Sequence, residues 1–358
     1  LKYNQVEPSI DKDDINNVTE YLNSGSWITE HNKTRELEDE IKSLVNRKYA
    51  SAVPNGTIAL YLSLLGFGLE NKKIAVPNIT MIATINSILW ANSVPVLIDT
   101  DENLCMSYEE LIKFNDLDAV LFVPLNGRTG DGEKIQKWCA DNEIIFIEDS
   151  AHSLGSSYEN SYCGGLGDAS VLSFTPHKII TMGQGGMVLS NNSKAHDYIT
   201  KLKTFNRSKD KVDWHEGFGL NFKITDLQAV LGLSQFSKLN RFIENKKQNY
   251  LHYKNYIEND DVEVMSFNKK EVPWFFDIKV KSLDLKNEIV NKLKSEGIET
   301  RGLYPALSKQ NYLSKYKSDN LDNSENIFNK ILWLPSSNNL KENDIKIISS
   351  AINSAKII

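Results

Sequence analysis

Cysteine is scarce: the 358 residues hold three, Cys105, Cys139 and Cys163. They are odd in number and far apart, which excludes a disulfide framework and a zinc site of the usual spacing. A basic surplus is also lacking. Lys+Arg is 41 against Asp+Glu 47, a net charge of −6, and this argues against a dedicated nucleic-acid partner. No apolar run approaches the ~18–20 residues needed to span a bilayer, so no membrane partner is expected. Leu1-Lys2-Tyr3-Asn4-Gln5 lacks the charged, apolar, small order of a signal peptide. The expectation is a reduced, cytoplasmic protein without a metal. Repeats of ~20–50 residues and low-complexity tracts are absent too.

What is present is an ordinary globular composition, 41% hydrophobic and 25% charged, long enough for about two domains. Residues 9–23 read as a helix with Ile10, Ile15, Val18 and Leu22 on one face. Thr34 can cap a second helix with the stripe Leu37, Ile41, Leu44 and Val45. Ile58–Leu65 is a dense apolar helix that follows a short strand-like run, Ala50–Val53. Short β-rich runs come next: Ile74–Val76, Val94–Ile98, Ala119–Val123, Ile144–Ile147, Val171–Phe174 and Met187–Leu189. Helical patterns at 82–91 and 132–141 separate the earlier ones. Apolar strands alternating with helices predict an α/β fold, with a mostly parallel sheet between helices. Ligands bind beyond the carboxyl ends of such strands. After about residue 225 the texture changes. Thr225 caps a long helix over 226–257, a strand follows at 273–280, then a helix at 285–296, a strand-like stretch at 298–304 and a helix at 341–355. The expected division is a large α/β unit, 1–235, and a smaller α+β unit, 236–358.

Three places carry candidate chemistry. Asn55-Gly56-Thr57 sits between a strand and a helix, where free N–H groups and a missing Cβ suit a phosphate. The same triplet is equally an ordinary helix cap. Asp149 and His152 follow the strand Ile144–Ile147, at the edge where a carboxylate can hold a proton on an aromatic nitrogen. Asp149 or Ser150 is equally a cap. Lys178 follows another strand, beside the turn Gly183-Gln184-Gly185-Gly186, and suits a Schiff base; most lysines are simply solvated. The glycine turn is not a dinucleotide fingerprint, since the residues after it read as strand. In order, a phosphate seat, a strand-end Asp and a strand-end Lys 29 residues later meet the needs of pyridoxal phosphate.

Seven segments in order resemble the DegT–StrS family of nucleotide-sugar aminotransferases. Gly25–Thr29 with Thr34–Glu38 resembles the family's opening. Asn55–Leu60 resembles S-G-T-A-A-L, and Val76–Thr84 resembles the P-x-x-T segment. Glu148–His152 resembles E-D-A-A-[QH], and Ser173–Gly186 resembles the lysine segment. Gly219–Ala229 resembles G-x-N-x-R-[ML]-T-[DE]-x-Q-A, and Gly297–Arg301 resembles G-I-x-T-R. The resemblance implies the aspartate aminotransferase (type I) fold and pyridoxal 5'-phosphate as cofactor. It implies that Lys178 bonds the cofactor and moves the proton, Asp149 pairs with the pyridine nitrogen and His152 contacts the ring. Gly56, Thr57 and Ser173 would hold the phosphate, and Met81 would pack on the ring. Asn221 would reach the neighbouring subunit's cofactor, so a homodimer with shared active sites is implied. Trp27, His31, Asn126, Arg301 and Tyr304 are the substrate-contact candidates. The expected partners are L-glutamate as donor and a keto sugar on a nucleoside diphosphate, with GDP-4-keto-6-deoxymannose or a related 4-keto-6-deoxy sugar favoured by analogy to the perosamine-synthase branch.

Gln184, Lys223, Ser308 and Asn126-Gly127-Arg128 depart from the family pattern and bear on substrate identity. A dehydratase branch carries His in place of the lysine; here Lys178 favours transamination. A pyridoxal-phosphate sugar dehydratase, a 3-keto-sugar aminotransferase and a non-catalytic regulatory relative are the alternatives.

Overall fold

The computed structural model describes residues 1–355. Its first part runs α1 (Lys12–Asn23), α2 (Asn32–Leu44), β1 (Tyr49–Val53), α3 (Gly56–Gly66), β2 (Lys73–Pro77), α4 (Ile82–Trp90) and β3 (Val94–Ile98). There follow α5 (Tyr108–Leu111), β4 (Ala119–Phe122), α6 (Gly132–Asp141), β5 (Ile145–Asp149), β6 (Ala169–Ser173), β7 (Gly186–Ser190) and α7 (Ser193–Lys203). The seven strands form one sheet in the order β1-β7-β6-β5-β4-β2-β3. Every pairing is parallel except those of β7, which runs against both β1 and β6. The strands are apolar on both faces, and their side chains are almost all buried under helices. This is the mostly parallel, doubly covered sheet that the strand pattern predicts.

The helix expected at 226–257 is two helices, α8 (Asp226–Phe236) and α9 (Leu239–Tyr256). No proline or glycine marks the break. It falls at Ser237–Lys238, where Lys238 Nζ reaches Asp11 at 2.7 Å and Asp14 at 2.6 Å at the start of α1. The expected apolar face of α1 is also corrected. Ile10, Ile15 and Leu22 are exposed, and Asp14 is the residue that α1 buries. A polar clasp of Asp14 with Ser234, Gln235 and Lys238 replaces the hydrophobic seam.

Beyond α9 come β8 (Val262–Val264), β9 (Asp277–Val280), α10 (Leu283–Ser295), β10 (Arg301–Gly302), α11 (Asp322–Ile327), β11 (Ile331–Trp333) and α12 (Glu342–Ser354). A second sheet, β10-β11-β9-β8, is antiparallel throughout. The strand expected over 273–280 pairs only from Asp277 onward, and Trp274 and Phe275, outside the ladder, pack into the core of the first sheet. The stretch expected at 298–304 pairs only at Arg301–Gly302. The chain's first residues return to this layer: Tyr3 bridges Ile298, and Ser336 N–H donates to the Gln5 carbonyl at 2.7 Å. Among the described residues, no helix is long and apolar enough to cross a membrane.

Candidate active site

Three parallel connections end at one place. Helix α3 begins at Gly56, with the Asn55 side chain capping it by accepting from Ile58 N–H at 3.0 Å. That bond leaves the first-turn N–H groups of Gly56 and Thr57 facing outward, the usual anion seat of a helix start. Strand β6 ends beside it: a Cβ on Gly56 would lie 3.1 Å from Ser173 Cβ, so any larger residue would crowd this approach. Strand β5 ends at Asp149, and the loop after β6 brings in Lys178. Asn55, Gly56, Thr57, Thr80, Met81, Thr84, Asp149, Ala151, His152, Ser173, Thr175 and Lys178 line one cavity of about 110 Å³. Wider hollows exist, such as one of about 360 Å³ beside Lys203. Its charges close on each other, with Lys203 on Glu30 at 3.0 Å and Arg35 on Glu30 at 3.1 Å.

Burial sets the electrostatics of the cavity. Asp149 is buried, and desolvation pushes its carboxyl above the ordinary value. Thr84 Oγ1 donates to it at 2.8 Å and Ala151 N–H at 3.2 Å; these bonds and the nearby Lys178 hold it back. Burial pushes the Lys178 amine down to about 7; Asp149 opposes this and Arg301 adds to it. An amine near 7 is unprotonated often enough at neutral pH to be a nucleophile. His152 is pushed well below its ordinary value, first by burial and then by the charges of Lys178 and Arg301. It is therefore a neutral ring, with a buried Nδ1 that has no hydrogen-bond partner.

These features fit pyridoxal phosphate: an anion seat, a buried carboxylate, a depressed lysine and a flat ring with an orphaned nitrogen around one hollow. Met81 is 41% exposed at the cavity's rim, where a thioether can lie on a ring. Tyr304 stands behind His152, ring centroids 6.1 Å apart, and Arg301 lies 5.5 Å over the Tyr304 ring.

Four other candidates stand apart from this cavity. Asn126 is corrected as a substrate contact. It is fully buried, and its amide is committed to Phe275 N–H at 2.7 Å, the Phe275 carbonyl at 2.9 Å and Asp277 at 2.8 Å. Trp27 is two-thirds exposed, beyond the end of α1. His31 opens α2, its N–H donating to Asp226 at 2.7 Å. Asn221 is exposed and bridges Thr204.

Sequence reasoning passed over Thr84 and Trp274. Thr84 was legible as a hydroxyl one helical turn after Thr80, its partner at 3.0 Å. Trp274 carried no signal beyond a strand-like apolar run.

Residues 8–353 match the DegT/DnrJ/EryC1/StrS aminotransferase family. A GDP-perosamine synthase of Escherichia coli O157:H7 is 31% identical over 362 residues, covering 99% of this chain and 98% of that protein. A UDP-4-amino-4,6-dideoxy-N-acetyl-beta-L-altrosamine transaminase of Helicobacter pylori is 28% identical, covering 97% and 96%. Among solved structures, Helicobacter pylori PseC, an aminotransferase involved in the biosynthesis of pseudoaminic acid, superposes with a TM-score of 0.92 at 25% identity, covering 98% of each chain. A putative sugar aminotransferase of Streptococcus pneumoniae, solved in its pyridoxal phosphate form, shares the fold at a TM-score of 0.89, 22% identity, 98% of this chain and 97% of that one. With its cavity built as above, this chain belongs to the DegT/DnrJ/EryC1/StrS family and is a pyridoxal-phosphate-dependent sugar aminotransferase.

Proposed function

We propose that the enzyme moves an amino group from L-glutamate to a 4-keto-6-deoxy sugar carried on a nucleoside diphosphate, with GDP-4-keto-6-deoxymannose as the first candidate. The observation that carries this is the convergence of Lys178, Asp149 and the α3 start on one cavity. The substrate class rests on relatives named for GDP-perosamine and for a UDP-linked 4-amino-4,6-dideoxy sugar, each matched along nearly the whole chain.

Bound pyridoxal phosphate supplies an electron sink for the carbon that loses or gains a proton. The chain's residues supply the rest. Gly56, Thr57 and Ser173 seat the phosphate. Asp149, ionised and held by Thr84, keeps the pyridine nitrogen protonated. His152 and Met81, both lining the cavity, would contact the ring. Lys178 Nζ holds the cofactor, then carries the proton at the sugar carbon that receives nitrogen. Arg301 is exposed beside Tyr304 and pairs with the diphosphate or the donor carboxylate. Asn221 serves across a homodimer, where it reaches the phosphate of the neighbouring subunit's cofactor, and Trp27 and His31 remain substrate-contact candidates. The loop before Asn221 presents Trp214 and Phe218, 55% and 78% exposed, as apolar surface for such an interface. The division into a large unit to residue 235 and a small unit from 236 belongs to the same reading.

The test is the visible spectrum of the purified protein before and after glutamate, followed by GDP-4-keto-6-deoxymannose. A yellow band that fades with glutamate and returns with the keto sugar, with an amino sugar formed, is expected. A band unmoved by glutamate rules out the donor; no amino product with any 4-keto-6-deoxy nucleotide sugar rules out the acceptor.

A further inference from the structure

Trp274 lies against the reactive lysine, and no step above uses it. Its ring centroid is 4.1 Å from Lys178 Nζ. The same ring stacks on His152, centroids 3.9 Å apart and planes 28° apart. With Lys178, His152, Ser173 and Ile179 it lines a narrow hollow behind the main cavity.

Its position is fixed from several sides. The indole N–H donates to the His177 carbonyl at 2.6 Å, one residue before the lysine. Its main-chain N–H donates to the Asn126 carbonyl at 3.1 Å, and its own carbonyl accepts from Lys246 Nζ at 2.7 Å. Two residues beyond Phe275, Asp277 is gripped by Arg128 at 2.7 and 2.9 Å. The indole bond fixes the ring against the lysine segment, and the other ties fix the backbone that carries it.

We propose that Trp274 is a further active-site residue, whose indole face is the resting place of Lys178 Nζ whenever that nitrogen is not bonded to the cofactor. The inference rests on Lys178 being the reactive lysine. A free lysine side chain has many rotamers, and one that swings to solvent cannot return its proton to the reacting carbon. The groups around Nζ are one carboxylate, Asp149, the cation Arg301, and the rings of His152 and His177, both of whose pKa values lie below the ordinary value. Lys246 adds a second cation behind the Trp274 carbonyl. A second carboxylate would fix Nζ but keep it protonated. An aromatic face attracts the ammonium more weakly, so it retains the nitrogen and still lets it act as a base.

The test measures acetylation of the Lys178 peptide by acetic anhydride against pH, read by mass spectrometry. The full-length protein is loaded with pyridoxamine phosphate, so that Lys178 is free. Loss of the ring in Trp274→Leu lowers the midpoint by about half to one and a half pH units. Trp274→Phe keeps a ring and stays closer to wild type than Trp274→Leu does. If Trp274→Leu does not fold, Trp274→Met provides the ring-free comparison with a bulkier, adaptable side chain. An unmoved midpoint in the ring-free variant overturns the proposal, as does an equal shift in Trp274→Phe, which would implicate the lost indole N–H instead. Borohydride reduction of the pyridoxal phosphate form separates the two readings. Label fixed on another lysine defeats the assignment of Lys178; label on Lys178 with an unmoved midpoint defeats only the role of Trp274.

Discussion

Replacing Thr84 with valine tests the site through a residue that the cofactor need not touch. Thr84 is fully buried on the first turn of α4, and valine has nearly its shape. What is lost is the 2.8 Å donation to Asp149, which keeps the longer bond from Ala151 N–H, and the 3.0 Å bond between the Thr84 and Thr80 hydroxyls. A hydrogen bond to a charged group is worth about 1.5–3 kcal/mol, and ~1.4 kcal/mol is tenfold in an equilibrium constant. If the ionised carboxylate holds the cofactor's nitrogen, pyridoxal phosphate should bind roughly 10- to 150-fold more weakly. The sign with pH follows. Burial already raises the Asp149 carboxyl, and Thr84 lowers it, so the variant's carboxyl rises further. The affinity deficit must then grow as pH falls. Titration of the cofactor's visible band at pH near 8 and near 6 reads both quantities. Binding within twofold of wild type at both pH values would refute the reasoning that the Thr84 hydroxyl holds the Asp149 carboxylate for the cofactor.

Two further outcomes concern the supports of the site. Arg128→Met leaves the Asp277 carboxylate buried without its bidentate cation, at side-chain exposures of 1% and 0%, and should cost about 3–5 kcal/mol in denaturant unfolding. The double variant with Asp277→Asn should cost less than the sum of the two singles; strict additivity would mean that the pair is not coupled. Lys246 has two backbone carbonyls as partners, those of Trp274 and Ser336, and burial pushes its amine down to about 7. The unfolded chain then binds more protons than the folded one between about pH 7 and 10, so stability rises with pH there, by up to ~1.4 kcal/mol per unit for one group. Lys178 adds a similar slope in cofactor-free protein. Lys246→Met should remove its own share while lowering stability overall, and an unchanged slope from pH 7 to 9 would show that Lys246 does not titrate there.

Strand ends were legible because a buried parallel strand must be apolar on both faces, and the first polar residue after it stands at the sheet's edge. Asp149 stands two residues beyond Ile147 and Lys178 four beyond Phe174, both within the first polar residues past an apolar run. Helix α7 escaped notice although Asn192 caps it and Ala195, Ile199 and Leu202 share one buried face. The break between α8 and α9 was not legible, because no local helix breaker marks it and the contacts made there, Lys238 with Asp11 and Asp14, are distant in sequence. Asn126 was misread for a related reason. A polar residue in a loop after a strand suggests a ligand, but here its backbone is left-handed, φ 57°, and its amide copies the bonding of a missing strand against Phe275. Long-range polar pairing of this kind leaves no periodicity in sequence.

The second sheet does more than close the cavity. The segments that flank its strands reach the cavity-lining segments at two separate points, and both are polar. Trp274 is one. The other is Asn78, just before the Thr80–Thr84 turn, whose carbonyl accepts from Leu307 N–H at 2.7 Å and whose amide bonds Ser308 and Ser324 at 3.1 and 2.8 Å. Ser308 passes the contact on to Glu325 at 2.7 Å, which holds Lys309. The family often carries histidine near this position, so the serine here is a departure that the structure absorbs into a tie between the two layers. Asn78 thus ties the loop before the Thr80–Thr84 turn, whose Thr84 donates to Asp149, to the second layer, as Trp274 ties that layer to Lys178. Arg301 and Tyr304, the proposed substrate contacts, lie on that same sheet and in the loop beyond it, so a substrate held there would sit on the layer that carries both ties.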